Sequence, residues 1–469
     1  MPGKPDTPNT KARGAFVWEA NTRIDRLTVQ NFKKFAEQTF ALHPQFTLLV
    51  GENGSGKTAV LDALAVSLGI WLVEAPDTSL HNSRRNILPT EIRLEPSRAG
   101  DRIQFREKLP VLVQATGQLG PLQNVTWTRQ IKQGGKRTTN VDAKEALDMI
   151  RGIYQLDALG QSIICPVLAY YGAGRAWLPS NQRLPAEAKT NGPARRWAAF
   201  YDCFNERIRF DELRKWFHRE TTAAGNRGGR MRPGFEVVRR AVLGCVSQAD
   251  GLWFDPDREQ IVISIAGHAQ PFDNLSAGQR MMLALVADIA IKAVTQNAFL
   301  LPPDELGPED EPLPRLLQQT PGVVLIDELD VHLHPSWQRR VATDLKKTFP
   351  AIQFVCTSHS PQVIGELARD EIRLLRPDSI VTPPVARGAD SNWILDHVMD
   401  GAASQSLTAR HLKDEAEEAL AHGDLPEAGA KLEALRRMLD GDTGELVRLE
   451  SSLYTLEALA RDTDEGEKA

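Results

Sequence analysis

Gly51, Gly56, Lys57 and Thr58 stand in the stretch GENGSGKT, spaced as Gly, four residues, Gly, Lys and a hydroxyl. That spacing suits a bound polyphosphate. Gly51, Gly54 and Gly56 let the backbone approach closely and aim successive N–H groups at phosphate oxygens, helped by the positive end of a helix starting near Lys57. Asn53 and Ser55 complete the loop. Lys57 would reach the β- and γ-phosphates of a nucleotide, and Thr58 would bind Mg²⁺.

Such a loop needs an acidic strand end beside it, and Asp327 and Glu328 after the apolar run VVLI supply one. Asp327 is placed to hold the metal and Glu328 to act as general base on an attacking water. His359, at the end of the run IQFVCTS, would sense the γ-phosphate by hydrogen bonding. Ser276, Gly278 and Gln279 in LSAGQR open a helix whose N–H groups and hydroxyl can hold a phosphate; alone, the same residues would read as a helix cap.

The elements that must position these residues follow from hydrophobic patterning. FTLLV, from Phe46, reads as a strand, and the run after Thr58 as an amphipathic helix. The residues from Ile24 alternate as two antiparallel strands with their bend between Asn31 and Phe35. RIQFREKLPVLVQATG and NVTWTRQIKQGGKRTT are strand-like, the second with a Gly134-Gly135 turn flanked by Lys132, Lys136 and Arg137 that reads as a solvated turn. SIICPVLAYYG is a strand buried on both faces, ending near Arg175.

From 181 to 250 the pattern becomes helical, with an Arg- and Gly-rich linker, GNRGGRMRPG, suited to a flexible loop or to a nucleic-acid backbone. IVISIAG is a strand, the segment from Leu301 to Gly322 an exposed Pro-rich acidic loop, and the residues from Val323 a β-α-β run with EIRLLR as one more strand. Charged helices broken at 423–426 and 441–444 follow from Ser406. The expected organisation is a tail over 1–20, a first lobe over 21–180, a helical insertion over 181–250, a second lobe over 251–385 and a helical extension over 386–469.

At 469 residues and 42% hydrophobic content the chain can build a sizeable core, and its net charge of −5 implies only local basic patches for any DNA. Cys165, Cys203, Cys245 and Cys356 lack metal-ligand spacing and read as reduced core residues. No apolar run approaches bilayer length and the N-terminus lacks a signal-peptide core, so a soluble cytoplasmic protein without a membrane partner is expected.

GENGSGKT, LSAGQR, VVLIDELDVHLHP and TSHSPQVI, in that order, resemble the ABC-type ATPase head of the SMC, RecF and OLD group over about Ile24 to Arg376. The resemblance implies an α/β fold, a mixed sheet with flanking helices, carrying an inserted helical lobe and a C-terminal extension. It implies ATP and Mg²⁺ as cofactors, Lys57 and Thr58 on phosphate and metal, Asp327 on metal, Glu328 as catalytic carboxylate and His359 as switch histidine. It further implies that the signature at Ser276 to Gln279 binds the γ-phosphate held by the opposite subunit of a head-to-tail dimer or higher oligomer, with Asp330 to His332 as the D-loop.

The chain departs from the group in three respects. No Gln matches the Q-loop, with Arg175 a weak substitute; no long coiled-coil arm is present; and the Toprim nuclease pattern of OLD proteins is missing, so no nuclease activity of its own is expected. WFHRE at Trp216, LSAGQRMMLALVADIA and RGADSNWILDHVM at Arg387 look like the PtuA family of bacterial ATPases, found in Septu and some retron antiphage systems beside an HNH nuclease. That implies an ATPase regulating a separate nuclease. The alternatives are a RecF-like ATP-dependent DNA-binding repair protein, a transporter ATPase subunit, or a nucleotide-gated scaffold with little turnover.

Overall fold

A computed structural model describes residues 18–19, 21–77, 80, 83–99, 102–176, 196–377, 379–399, 407–439 and 443–466. The tail expected over 1–20 falls almost wholly outside them. The chain forms two units, Met1–Ala389 and Asp390–Ala469.

The first unit runs β1 (Thr22–Phe32), β2 (Phe35–Ala41), β3 (Phe46–Val50), α1 (Lys57–Leu68), β4 (Leu94–Ala99), β5 (Arg102–Glu107), β6 (Val111–Leu119), β7 (Leu122–Ile131), β8 (Thr139–Val141), α2 (Lys144–Ala158) and β9 (Val167–Tyr171). It continues through α3 (Phe210–Gly225), α4 (Pro233–Cys245), β10 (Ala249–Asp255), β11 (Gln260–Ile265), β12 (His268–Pro271), α5 (Ala277–Asn297), β13 (Gly322–Ile326), α6 (Pro335–Thr348), β14 (Ile352–Thr357), β15 (Ile372–Leu375) and β16 (Ile380–Val381).

Two sheets carry the unit. One has the order β9-β13-β14-β3-β15-β16, parallel except for β16. Its strands β3, β13 and β14 are buried along their whole length, which is why they read as unbroken apolar runs and not as alternating ones. The other sheet, β2-β1-β6-β7-β8, is antiparallel.

Helix α1 lies between the two sheets and contacts both. Every residue of it except Thr58 is buried. This corrects the amphipathic reading: a helix covered on all sides has no polar face to show. It leaves Thr58 as the one exposed position, at the loop.

Other differences are local. The run from Arg102 to Gly117 breaks at Lys108–Pro110 into β5 and β6, because proline interrupts a ladder. Within the stretch 181–250 that reads as helical, residues 196–208 hold only a short 3-10 turn at Arg196–Phe200, and the single strand read at IVISIAG is the centre of the three-stranded meander β10-β11-β12. Ala277–Leu300, 24 residues with an 18-residue window of mean hydropathy 1.4, is by length and composition apolar enough to cross a membrane, which the sequence reading had excluded. It is a core element: 56% of that window is buried, and α5 packs against α3, α4 and β9.

The second unit holds α7 (Ser391–His397), α8 (Leu407–His422), α9 (Leu425–Met438) and α10 (Gly444–Gly466). Asp390 caps α7 by accepting the N–H groups of Asn392 and Trp393 at 2.9 and 3.0 Å. The three longer helices share a core of their own, built on Ala416, Leu432, Leu435, Leu446 and Leu449.

Candidate functional site

In a parallel sheet the carboxyl ends of neighbouring strands open onto one edge, where loops can meet around a ligand. Here β13, β14 and β3 are consecutive neighbours, so the acidic pair, the histidine and the glycine loop leave the sheet side by side. They line a cleft of about 320 Å³ whose wall includes Asn53, Gly54, Gly56, Lys57, Thr58, Asp327, Glu328 and His359.

Gly54 and Gly56 adopt left-handed φ values of 79° and 100°, which a side chain would resist. A Cβ at Gly56 would also come within 2.6 Å of the Phe35 ring. Lys57 is buried, its Nζ donating to the carbonyls of Gly51 at 2.8 Å and Glu52 at 3.0 Å. Burial lowers its pKa against the opposing pull of Asp327, Glu328 and Asp330.

Thr58 Oγ1 donates to Asp327 Oδ2 at 2.9 Å, and Thr357 Oγ1 donates to Asp327 Oδ1 at 2.6 Å. Thr357 Oγ1 in turn accepts the N–H of Glu328 at 2.7 Å. The Asp327 carboxylate and the Glu328 backbone are thereby both held from β14. Glu328 itself has φ 49°, a left-handed turn that redirects the chain directly after the strand. Burial lowers the pKa of His359, with the Lys57 charge adding to the effect and the three nearby acids opposing it.

A polyphosphate and a hard cation fit these residues. The Ser55 hydroxyl is buried without a hydrogen-bond partner in the loop, and the Thr58–Asp327 hydroxyl–carboxylate pair is an all-oxygen donor set of the kind a magnesium ion takes.

Ser276 caps α5 through reciprocal hydrogen bonds with Gln279, Gln279 N–H to Ser276 Oγ at 3.3 Å and Ser276 N–H to Gln279 Oε1 at 3.0 Å. Gly278 packs against the carbonyl of His332, so the signature and the Asp330–His332 turn touch within one chain. Among the described residues lining the cleft none is Ser276, Gly278 or Gln279, and Ser276 is exposed.

The structure adds residues that sequence reasoning missed. Lys33 and Lys34, at the β1–β2 bend, line the cleft, and Lys34 Nζ donates to the Gly54 carbonyl at 2.9 Å. A Lys-Lys pair at the bend was the available signal. Asp62 on α1 pairs with Lys33 and Arg85, and Arg85 with Glu91, tying the bend to the helix below it. Glu206 lies against Gly172 at the exit of β9, and its pKa is raised by burial and then by Asp62 and Asp327. No local motif marks it. The Arg175 side chain is outside the described residues.

The arginines of the 225–234 linker have acidic neighbours: Arg227 lies 3.7 Å from Asp304, Arg230 4.0 Å from Glu305 and Arg232 3.4 Å from Glu220.

Residues 26–219 match a family model described as an AAA domain, and 266–365 match one described as an AAA domain, putative AbiEii toxin, Type IV TA system. Among curated relatives, the Retron Ec83 probable ATPase of Escherichia coli is 41% identical over 129 residues, 27% of this chain and 21% of that protein. The Septu protein PtuA of Bacillus mycoides is 23% identical over 360 residues, 75% of this chain and 40% of that one. The DNA replication and repair protein RecF of Desulforamulus reducens is 32% identical over 75 residues, 15% of this chain and 20% of that one. These matches span between 20% and 40% of the length of each relative. Of solved structures, the SMC head domain from Thermotoga maritima is 16% identical with a TM-score of 0.40, over 78% of this chain and 100% of that one. With its glycine loop, acidic strand end and histidine converging on one sheet edge, and with Septu and retron ATPases and RecF among the proteins it is similar to, the chain is consistent with an ABC-type ATPase of the SMC and RecF group.

Proposed function

We propose that this chain binds ATP with Mg²⁺ between two copies arranged head to tail, hydrolyses it there, and regulates a separately encoded HNH-type nuclease in cytoplasmic antiphage defence. The observation that carries the reading is the division of the site. Lys57, Thr58, Asp327, Glu328 and His359 face one cleft, whereas Ser276 stands exposed at the start of α5, outside that cleft. A second copy supplies the missing phosphate-binding helix end.

Each residue then has a role. Asn53 to Gly56 offer backbone N–H groups to the phosphates, and Lys57 exchanges its two loop carbonyls for phosphate oxygens. Thr58 and Asp327 hold the metal, which when bound neutralises charge developing on the phosphates. Glu328, whose backbone N–H is held by Thr357, takes a proton from water as that water's oxygen bonds to the γ-phosphorus and the bond to the β-phosphate oxygen breaks. The products are ADP and phosphate. His359 donates to the γ-phosphate, and Ser276, Gly278 and Gln279 bind it from the opposite copy. Nuclease chemistry is left to the partner, for which the second unit is the docking candidate.

The linker arginines bear on the RecF-like alternative. Their acidic neighbours reduce the charge available to a DNA backbone, which disfavours that reading.

The test compares the wild-type chain with Glu328→Gln, each purified from its native operon with ATP and Mg²⁺. The variant should hold ATP, form an ATP-dependent dimer, turn over about 100-fold more slowly or worse, and retain a co-purifying nuclease whose cleavage responds to ATP. An ATP-dependent homodimer that binds duplex DNA and brings down no nuclease overturns the defence role. Undiminished turnover overturns the assignment of Glu328.

A further inference from the structure

β4 and β5 form a two-stranded ribbon that pairs with neither of the main sheets. It is rooted at its base, where Arg93 N–H donates to the Asn31 carbonyl and Lys108 N–H to the Arg93 carbonyl, both at 2.9 Å. Beyond that base every residue of β5 is exposed.

Residues directly opposite in an antiparallel pair share a face. The register joins Leu94 to Glu107, Pro96 to Phe105 and Arg98 to Ile103. One face therefore carries Leu94, Pro96, Ile103 and Phe105, with Arg98 at the tip end and Glu107 at the base. The other carries Glu95, Ser97, Gln104 and Arg106. Ile103 and Phe105 are each 64% exposed and Leu94 52%. An isolated ribbon with an uncovered apolar face is poorly stable in water, and contiguous exposed apolar surface marks an interaction site.

The charges on that face say what covers it. Arg98 and Glu107 lie at opposite ends and are not register partners. In a two-fold arrangement, face to face and antiparallel, Arg98 of each copy meets Glu107 of the other while the four apolar residues pack between. A surface that is its own electrostatic complement is what an isologous contact requires. We propose that this ribbon face is an association surface for a second copy of this chain, separate from the nucleotide cleft.

The face measures roughly 20 Å by 10 Å, well below the roughly 800 Å² per partner of a stable pair. The contact is accordingly weak alone and concentration-dependent. Combined with a second two-fold contact between heads, it links copies into an assembly larger than a dimer.

The test is sedimentation velocity of the full chain without nucleotide, which removes the ATP-dependent contact, over a wide concentration range. Four proteins are compared: wild type, Arg98→Glu, the Ile103→Ser/Phe105→Ser double variant, and the Arg98→Glu/Glu107→Arg swap. Wild type should self-associate, the first two variants should do so about tenfold more weakly or not at all, and the swap should recover wild-type behaviour. Far-UV circular dichroism and thermal melting confirm that each variant is folded. A wild type that stays monomeric overturns the proposal, as does equal association by all four, or failure of the swap to recover.

Discussion

Thr58 Oγ1 donates a 2.9 Å hydrogen bond to Asp327 Oδ2 across 269 residues of sequence, closing the glycine loop onto the acidic strand end. The two side chains approach because β3 and β13 flank β14 in one parallel sheet and end at the same edge. Thr357 at the end of β14 holds the other carboxylate oxygen. Asp327→Asn keeps the shape of this triad and removes its charge. We expect ATP hydrolysis at saturating Mg²⁺ to fall about 100-fold or more, a loss of roughly 3 kcal/mol of transition-state stabilisation. Steady-state turnover with a magnesium titration checks this.

His359 titrates below its ordinary 6.5 in the nucleotide-free protein, through burial first and the Lys57 charge second. A folded-state value below the unfolded one contributes stability that is present above about 6.5 and is lost as pH falls through the folded value. Lys57→Met should raise the His359 pKa toward the ordinary value, because it removes a like charge. Histidine-selective NMR titration of both proteins reads the shift, and an unchanged or lowered value in the variant refutes it.

Gly278 is fixed by packing against the His332 carbonyl, where an added Cβ would collide with backbone that cannot swing away. Gly278→Ala should force α5 or the Asp330–His332 turn to move and cost about 1–3 kcal/mol. Thermal melting should show a Tm lower by a few degrees, with hydrolysis impaired even though the residue lies outside the cleft of its own chain.

Arg129 on β7 is buried and spans three acceptors: the Val66 carbonyl at 2.8 Å, the Arg85 carbonyl at 2.8 Å and Asn86 Oδ1 at 2.5 Å. Burial lowers its pKa to about 10, so it remains charged at neutral pH and interacts favourably with the C-terminal end of α1. Arg129→Leu strands the buried Val66 carbonyl and removes two part-buried bonds, and should destabilise by about 3 kcal/mol. Denaturant unfolding should show a lower midpoint with little change in slope.

The helices of the second unit bury a core among themselves, so removal of 390–469 takes away no residue of the first unit's sheets. The truncated chain should keep the melting temperature and hydrolysis of its head, while the pull-down of a neighbour-encoded nuclease is lost. A pull-down that survives the deletion refutes the second unit as the docking element.

The sequence by itself determined the elements whose signal is local. GENGSGKT needs only its own glycines to form a phosphate loop, VVLI followed by Asp327 and Glu328 needs only burial and a strand end, and the bend between Asn31 and Phe35 is a matter of alternation. What only the tertiary structure decided are relationships between elements far apart in the chain. Thr357 comes to hold both the Asp327 carboxylate and the Glu328 backbone N–H because β14 lies between β3 and β13, an order no local pattern encodes. Helix α1 loses its amphipathic character because it has a sheet on each side, Lys33 and Lys34 reach the cleft only because the β1–β2 bend folds against the glycine loop, and Glu206 comes against Gly172 at the exit of β9 with no motif to mark it. The apolar face of the β4–β5 ribbon appears only with the register, since pairing Arg98 with Ile103 and Leu94 with Glu107 sorts a mixed sequence into one apolar side and one polar side. Side-chain periodicity is a property of neighbours along the chain, whereas strand order and register are set by long-range burial and pairing, and these put distant residues within hydrogen-bonding reach.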